Sequence, residues 1–268
     1  MGIKKVVSSL LVATLIISGS SAAYASPNEE VKIPTKVSYS DNKDLYTSDG
    51  DFLGSLNRTT SIEQVTDKDG NTSYIQTDIK DYVLAEEYAS IPAYTEKFSD
   101  STETTTYSVT DDNKLVVNGE EISENMFIPI TPFAQDTGGI ASISHYYSTK
   151  DMTKYSFRTY SDIAFSFNNG LSLSPAGSHV AKDGITRSNT YFYDAKSSID
   201  SLENNVRDFD VAAALFAFEA AVTFFSLSTI IGAIAAGGAT AFSAIQAYNA
   251  WSDCKDDISD AYTYVSML

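Results

Sequence analysis

Forty consecutive residues, Val211 to Ala250, carry a single formal charge, Glu219, and include the Gly237–Gly238 pair. This run constrains the chain more than any other. An apolar stretch of that length must either be wrapped on all sides as the core of a helical region or leave water for a lipid bilayer. On each side the apolar spacing is helical. Ile199, Leu202, Val206, Phe209, Ala213 and Phe216 recur every three or four residues before the glycines. Phe242, Ile245, Tyr248, Trp251, Cys254, Ile258, Ala261 and Val265 do so after them, with Asp253, Lys255, Asp256, Asp257 and Asp260 on the other face. The pattern predicts a C-terminal helical hairpin over 194–268 with an apolar centre at 211–250, starting near Asp194 with Ser197 and Ser198 as available caps.

Bilayer entry is feasible on the numbers. Val211 to Ala236, read as one helix, is 26 residues, about 39 Å against a hydrocarbon core of roughly 30 Å. Its eleven Leu, Ile, Val and Phe residues contribute roughly −5 kcal/mol to insertion, and an ionised Glu219 costs about +3. Thr223, Ser226, Ser228 and Thr229 bring the balance close to zero. Flanking charge does not favour a resident anchor: Arg207 stands on one side, and Lys255 among aspartates on the other. If the hairpin enters lipid, the residues expected to act there are Phe216, Phe218, Glu219, Phe224, Phe225, Ile230, Ile231, Gly232, Ile234, Gly237, Gly238, Phe242 and Trp251. Protonation of Glu219 would then strengthen insertion as pH falls.

The N-terminus reads as an export signal. Lys4 and Lys5 precede the apolar stretch Val6 to Ile17, and Ala23-Tyr24-Ala25 supplies a cleavage site after Ala25. Removing residues 1–25 takes away two lysines and no acid, so the net charge of −17 becomes −19. Such an acidic product repels nucleic acid and is not drawn electrostatically to anionic membranes. The single cysteine, Cys254, excludes an internal disulfide framework and lies on the apolar stripe as a small core residue.

Between these ends the period is two, which makes the expected fold α+β, with an antiparallel β-rich region over 26–193. Ser26 to Asp51 reads as an extended lead-in. Ser61 to Val65 and Ser73 to Ile79 form a hairpin around Asp67-Lys68-Asp69-Gly70-Asn71, and Thr104 to Thr110 pairs with Lys114 to Val117 before the Asn118-Gly119 turn. Asp81 to Ser90 suggests a short helix stopped by Pro92. Pro129, Pro132 and Gly138-Gly139 suggest a subdomain break near 133–139. Further strands are expected at Tyr155 to Tyr160, at Phe165 and Phe167, at Leu171 and Leu173 beyond an Asn168-Asn169-Gly170 turn, and at Thr190 to Tyr193.

No constellation points to catalysis, a metal or a cofactor. The acidic run Asp67 to Asp78 has Thr72 where a calcium loop requires glycine, so it reads as a turn. Asp136-Thr137-Gly138 occurs without a second copy or a preceding buried strand. His145 and His179 are too few for a three-histidine zinc site, and no G-x-S-x-G element occurs. Each reads as a surface or satisfied strand histidine.

With Ala23-Tyr24-Ala25 at one end and Ile230-Ile231-Gly232-Ala233-Ile234-Ala235-Ala236-Gly237-Gly238 at the other, the layout resembles the large secreted bacteriocins of bacilli. The resemblance implies killing of related Gram-positive bacteria by membrane damage or pore formation. The acidic balance departs from the cationic character common in small bacteriocins. The expected partners are a target-cell membrane, a receptor or immunity protein, and further copies of the chain on that membrane. The alternative is a non-toxic extracellular binding or surface protein whose hairpin is a permanent core.

Overall fold

A computed structural model describes residues 35–123, 143–165, 172–223 and 225–268. The expected export signal, the 133–139 break with its prolines and glycines, Asp136-Thr137-Gly138, Phe167 with the Asn168-Asn169-Gly170 turn, Leu171, and Phe224 lie outside these residues.

The fold is α+β, with two antiparallel sheets and a C-terminal helical layer. The first sheet is a meander of β1 (Lys36–Tyr46), β2 (Phe52–Thr66), β3 (Thr72–Leu84), β4 (Ser101–Val109), β5 (Leu115–Val117) and β6 (Glu120–Glu121). The 67–71 hairpin forms where expected. The Asp67 carboxylate accepts from the backbone N–H groups of Asp69 and Asn71 at 2.8 and 2.9 Å and from the Asn71 amide at 2.9 Å, so local donors occupy it as a turn residue.

Two readings of this half need correction. The extended lead-in holds a full strand: residues 36–46 pair with β2 along their length, and their inward positions mix Val37, Tyr39 and Leu45 with Asp41 and Lys43, which blurs the apolar alternation. The helix expected over 81–90 begins only at Glu86, since Asp81 to Leu84 complete β3. Two short helices follow, α1 (Glu86–Ala89) and α2 (Pro92–Lys97), with proline at the first turn of the second. At the β1–β2 end the ladder shifts register after Leu45, and Gly54 there has φ +153°. A Cβ on Gly54 would lie 2.3 Å from the Val83 carbonyl oxygen, so the close approach of β2 and β3 requires glycine.

The second sheet comprises β7 (His145–Ser148), β8 (Tyr155–Phe165) and β9 (Leu173–Ile185). Then comes α3 (Phe192–Ala220), which begins where a strand was expected at 190–193. Ser197 and Ser198 are not caps; both are buried within the helix.

The largest departure lies in the apolar run. Residues 211–236 do not form one helix. α3 stops at Ala220 because Ala221 takes a left-handed conformation (φ 52°, ψ 37°). A new helix, α4 (Leu227–Ala236), then starts on a reciprocal cap: the Ser226 hydroxyl accepts from the Thr229 N–H at 3.2 Å, and the Ser226 N–H donates to Thr229 Oγ1 at 3.0 Å. Gly237, at φ 77° and ψ −176°, ends α4 and turns the chain into α5 (Gly238–Met267). The long arms α3 and α5 pack antiparallel, with Phe192 and Ile199 beside Ala261 and Val265 at one end and Phe216 and Phe242 in a common core nearer the other.

α5 lies at the centre. Tyr74 and Tyr107 of the first sheet meet its Phe242 and Tyr248 edge-on at 6.1 and 5.9 Å. From the second sheet, Phe165 meets Trp251 at 6.2 Å.

Candidate functional site

The residues expected to act in a membrane separate into two groups. Phe216, Phe225, Ile230, Ile234, Phe242 and Trp251 are buried. Phe225 sits among Phe165, Phe209 and Phe216 at ring distances of 4.8, 5.4 and 6.0 Å, and the Ile234 carbonyl accepts the Tyr74 hydroxyl at 3.3 Å. Gly237 and Gly238 make the turn into α5; Gly238 is buried, and a Cβ on Gly237 would lie 3.5 Å from the Tyr74 hydroxyl. These side chains already occupy apolar surroundings and gain little on entering lipid without undocking.

The second group faces outward. Phe218 is 86 % exposed and Val211 68 % exposed, and with Ala214 and Ala221 they form one outer stripe along the end of α3. On α4, Gly232, Ala235 and Ala236 are also exposed, and Ile231 is half-buried. No charged residue other than Glu219 occurs between 211 and 239. Among the described residues, no helix is long and apolar enough to cross a membrane.

Glu219 is half-buried beside the Ser243 hydroxyl of α5. Burial pushes its carboxyl above the usual glutamate range, and the Ser243 hydrogen bond opposes the shift. It therefore lies at the α3–α5 contact, between the buried and exposed sides of the apolar end.

Away from that end, ion pairs tie α3 and α5 to the sheets and to α2, and the carboxylate is usually on the long helix. Asp208 of α3 takes Lys43 and Arg58 from β1 and β2, and Asp253 of α5 takes Lys80 from β3. Asp257 and Asp260 receive Lys97 at 2.8 and 2.6 Å. The second sheet reverses the polarity, with Lys255 of α5 on Asp162 of β8.

A buried hub lies lower on α3. The Asp200 carboxylate, fully buried, accepts the hydroxyls of Tyr94 and Tyr146 at 2.6 and 2.8 Å and the Ser48 N–H at 2.7 Å. It thereby joins the β1–β2 turn, α2 and β7. Burial raises its pKa to about 6, while Lys196 and these hydrogen bonds pull the other way. Sequence reading missed this residue, since an aspartate one position after Ile199 reads as the wet side of an amphipathic helix.

The two histidines lie on the second sheet. His179 is exposed and its ring is 4.9 Å from Tyr160, whereas His145 is half-buried and its Nδ1 has no partner among the described residues. The expectation of satisfied or surface histidines therefore holds for His179 and misses the Nδ1 of His145. Cys254 is buried in the main core, and burial holds its thiol well above the ordinary range. Among the described residues no cluster of three or more His, Cys, Asp or Glu is arranged to hold a metal ion.

Compared with known proteins, the chain matches no family model, no curated protein and no solved structure.

Proposed function

We propose that this is an exported antibacterial protein that perturbs a target-cell membrane through the charge-poor end of its helical layer, residues 211–239. The observation that carries the reading is Phe218, a large aromatic side chain 86 % exposed beside Val211 in a segment with one ionisable group. Exposed apolar surface of this kind marks a contact with lipid or with a partner. The export signal at residues 1–25 supports delivery outside the producing cell. Contact begins as shallow seating of the α3–α4 end at the bilayer interface, since the folded protein offers no spanning helix among its described residues. Further copies gathering on the membrane, and a receptor or immunity protein, belong to the same reading. The protein acts without a catalytic step or a cofactor.

The test is dye release from liposomes by the chain lacking residues 1–25, alongside inhibition of Gram-positive indicator strains. Burying a phenylalanine side chain contributes about 2 kcal/mol, so Phe218→Ser weakens partitioning by roughly thirtyfold. No release and no inhibition by the parent protein, or equal release by the variant, refutes the reading.

A second reading is favoured by the burial of Phe242, Tyr248, Trp251 and Cys254 between the two sheets. Here the helices are the permanent core of a non-toxic extracellular binding protein. It expects amides of residues 238–250 to stay protected from hydrogen exchange with or without lipid, and loss of protection on lipid addition excludes it.

A further inference from the structure

The inner face of the first sheet is apolar at one end and polar in the middle. Along β3 the side chains turned toward the helices run Tyr74, Gln76, Asp78 and Lys80, opposite Ile62, Thr60 and Arg58 of β2. Where this polar stretch meets α3 and α5 the two layers do not close, leaving a cavity of about 160 Å³. Val211, at its rim, is largely exposed.

The wall chemistry narrows what fits. Arg58 grips Asp41 with two nitrogens at 3.0 and 3.1 Å and also reaches Asp208 at 3.0 Å, while Lys43 pairs with Asp208 and Lys80 with Asp253. Every cation on the wall thus already has a carboxylate, so a free anion finds no unclaimed positive charge. Asp78 is claimed by three neutral donors: the Thr60 hydroxyl, the Gln76 amide and, at 3.2 Å, the Asn249 amide. A free cation finds no unclaimed carboxylate among these groups.

One polar atom is left over. Gln76 is 3 % exposed, and with its amide nitrogen turned to Asp78, its Oε1 has no partner among the described residues. A buried acceptor without a donor costs about 1–3 kcal/mol. Ala212 and Leu215 of α3 and Ala250 of α5 give the opposite wall an apolar surface, and Tyr39 adds an aromatic ring.

We propose that this cavity is a binding site for one neutral polyhydroxylated ring, a monosaccharide. Its hydroxyl groups bridge the paired charges and its C–H face lies against Ala212 and Leu215, while a small shift of the Gln76 side chain, whose Oε1 is closed off in the free protein, brings that oxygen to one hydroxyl. A hydroxyl serves a wall of mixed signs because it both donates and accepts. The cavity is smaller than the roughly 300 Å³ at which drug-sized pockets begin, which fits one ring and not a chain of them. The proposal is independent of the lipid reading.

The test uses amide and side-chain NMR spectra of the folded protein titrated with D-glucose and with N-acetyl-D-glucosamine. Thermal shifts are avoided because sugars stabilise proteins generally by exclusion from their surfaces. Saturable shifts at the Gln76 and Asn249 side-chain amides with either sugar are expected. Gln76→Leu weakens binding by roughly three- to tenfold, the share of one hydrogen bond. Ala250→Leu, which fills the cavity from the helix side and leaves the polar wall intact, abolishes it. No saturable shift with either sugar, slowly exchanging water alone beside Gln76, or unweakened binding by Ala250→Leu overturns the proposal.

Discussion

Asp200→Asn tests how the buried hub responds to pH. The carboxyl titrates at about 6 in the folded protein against 3.8 for a free aspartate, so the fold holds its proton more tightly than the unfolded chain does. The stability it contributes is complete below 3.8 and is lost as pH rises through 6. Acidification from pH 7.5 to 5 therefore tightens the fold at this point. At pH 5, one unit below the folded value, the gain is about 1.4 kcal/mol relative to pH 7.5. That corresponds to a rise in Tm of about 3–5 °C for a domain of this size. Other groups act in the same window. Asp253 and Glu219 add in the same direction, more weakly because each is partly open to water, and His145, whose pKa burial lowers, opposes them. The comparison of parent and variant isolates Asp200 from these. Asparagine keeps an acceptor for Tyr146 and Ser48 and presents its amide to the Tyr94 oxygen, so the geometry survives while the titration is removed. Urea unfolding at pH 5 and 7.5, for both proteins, measures the effect. The parent should gain about 1.4 kcal/mol more than the variant between the two pH values. Equal gains refute the assignment of a buried, ionising Asp200.

Glu219→Gln should raise stability slightly at pH 7.5 and by less at pH 5, meeting the parent only below the free glutamate value of 4.5, because the folded state favours the protonated carboxyl; paired urea curves check this. With liposomes, the same variant should bind at both pH values while the parent binds better at pH 5, read by Trp251 fluorescence, which reports loosening from Phe165 as well as lipid contact. Ser226→Ala should cost about 1 kcal/mol by removing the α4 cap, with faster amide exchange confined to the first turn of that helix. Gly54→Ala should cost roughly 3 kcal/mol or more, since both the backbone angle and the Val83 carbonyl oppose a Cβ; a loss below 1 kcal/mol in thermal unfolding would refute that geometry.

Much of the fold was readable because local rules and burial agreed. The 67–71 and 118–119 turns carry glycine where the backbone needs positive φ, and the apolar stripes at 199–216 and 242–265 face the core as their spacing implies. β1 was not readable, since Asp41 and Lys43 interrupt an inward face that otherwise carries Val37, Tyr39 and Leu45, and its outward face is polar. The start of α4 carries a local signal of its own, the Ser226–Thr229 capping pair, masked in the sequence by the apolar residues around it.

The chemistry of the interior was decided only by the tertiary structure. Composition by itself determined an acidic chain with one buried-type cysteine and a charge-poor segment that had to be covered or delivered to an apolar phase. Which of its residues are covered depends on where two sheets meet one helix pair. That packing places Trp251 inside and leaves Phe218 outside, although both are aromatic residues of the same helical layer. It also turns Gln76, Asp78 and Asp200, which a sequence assigns to water, toward the interior, because a sheet has only two faces and a helix has only one side to give each neighbour.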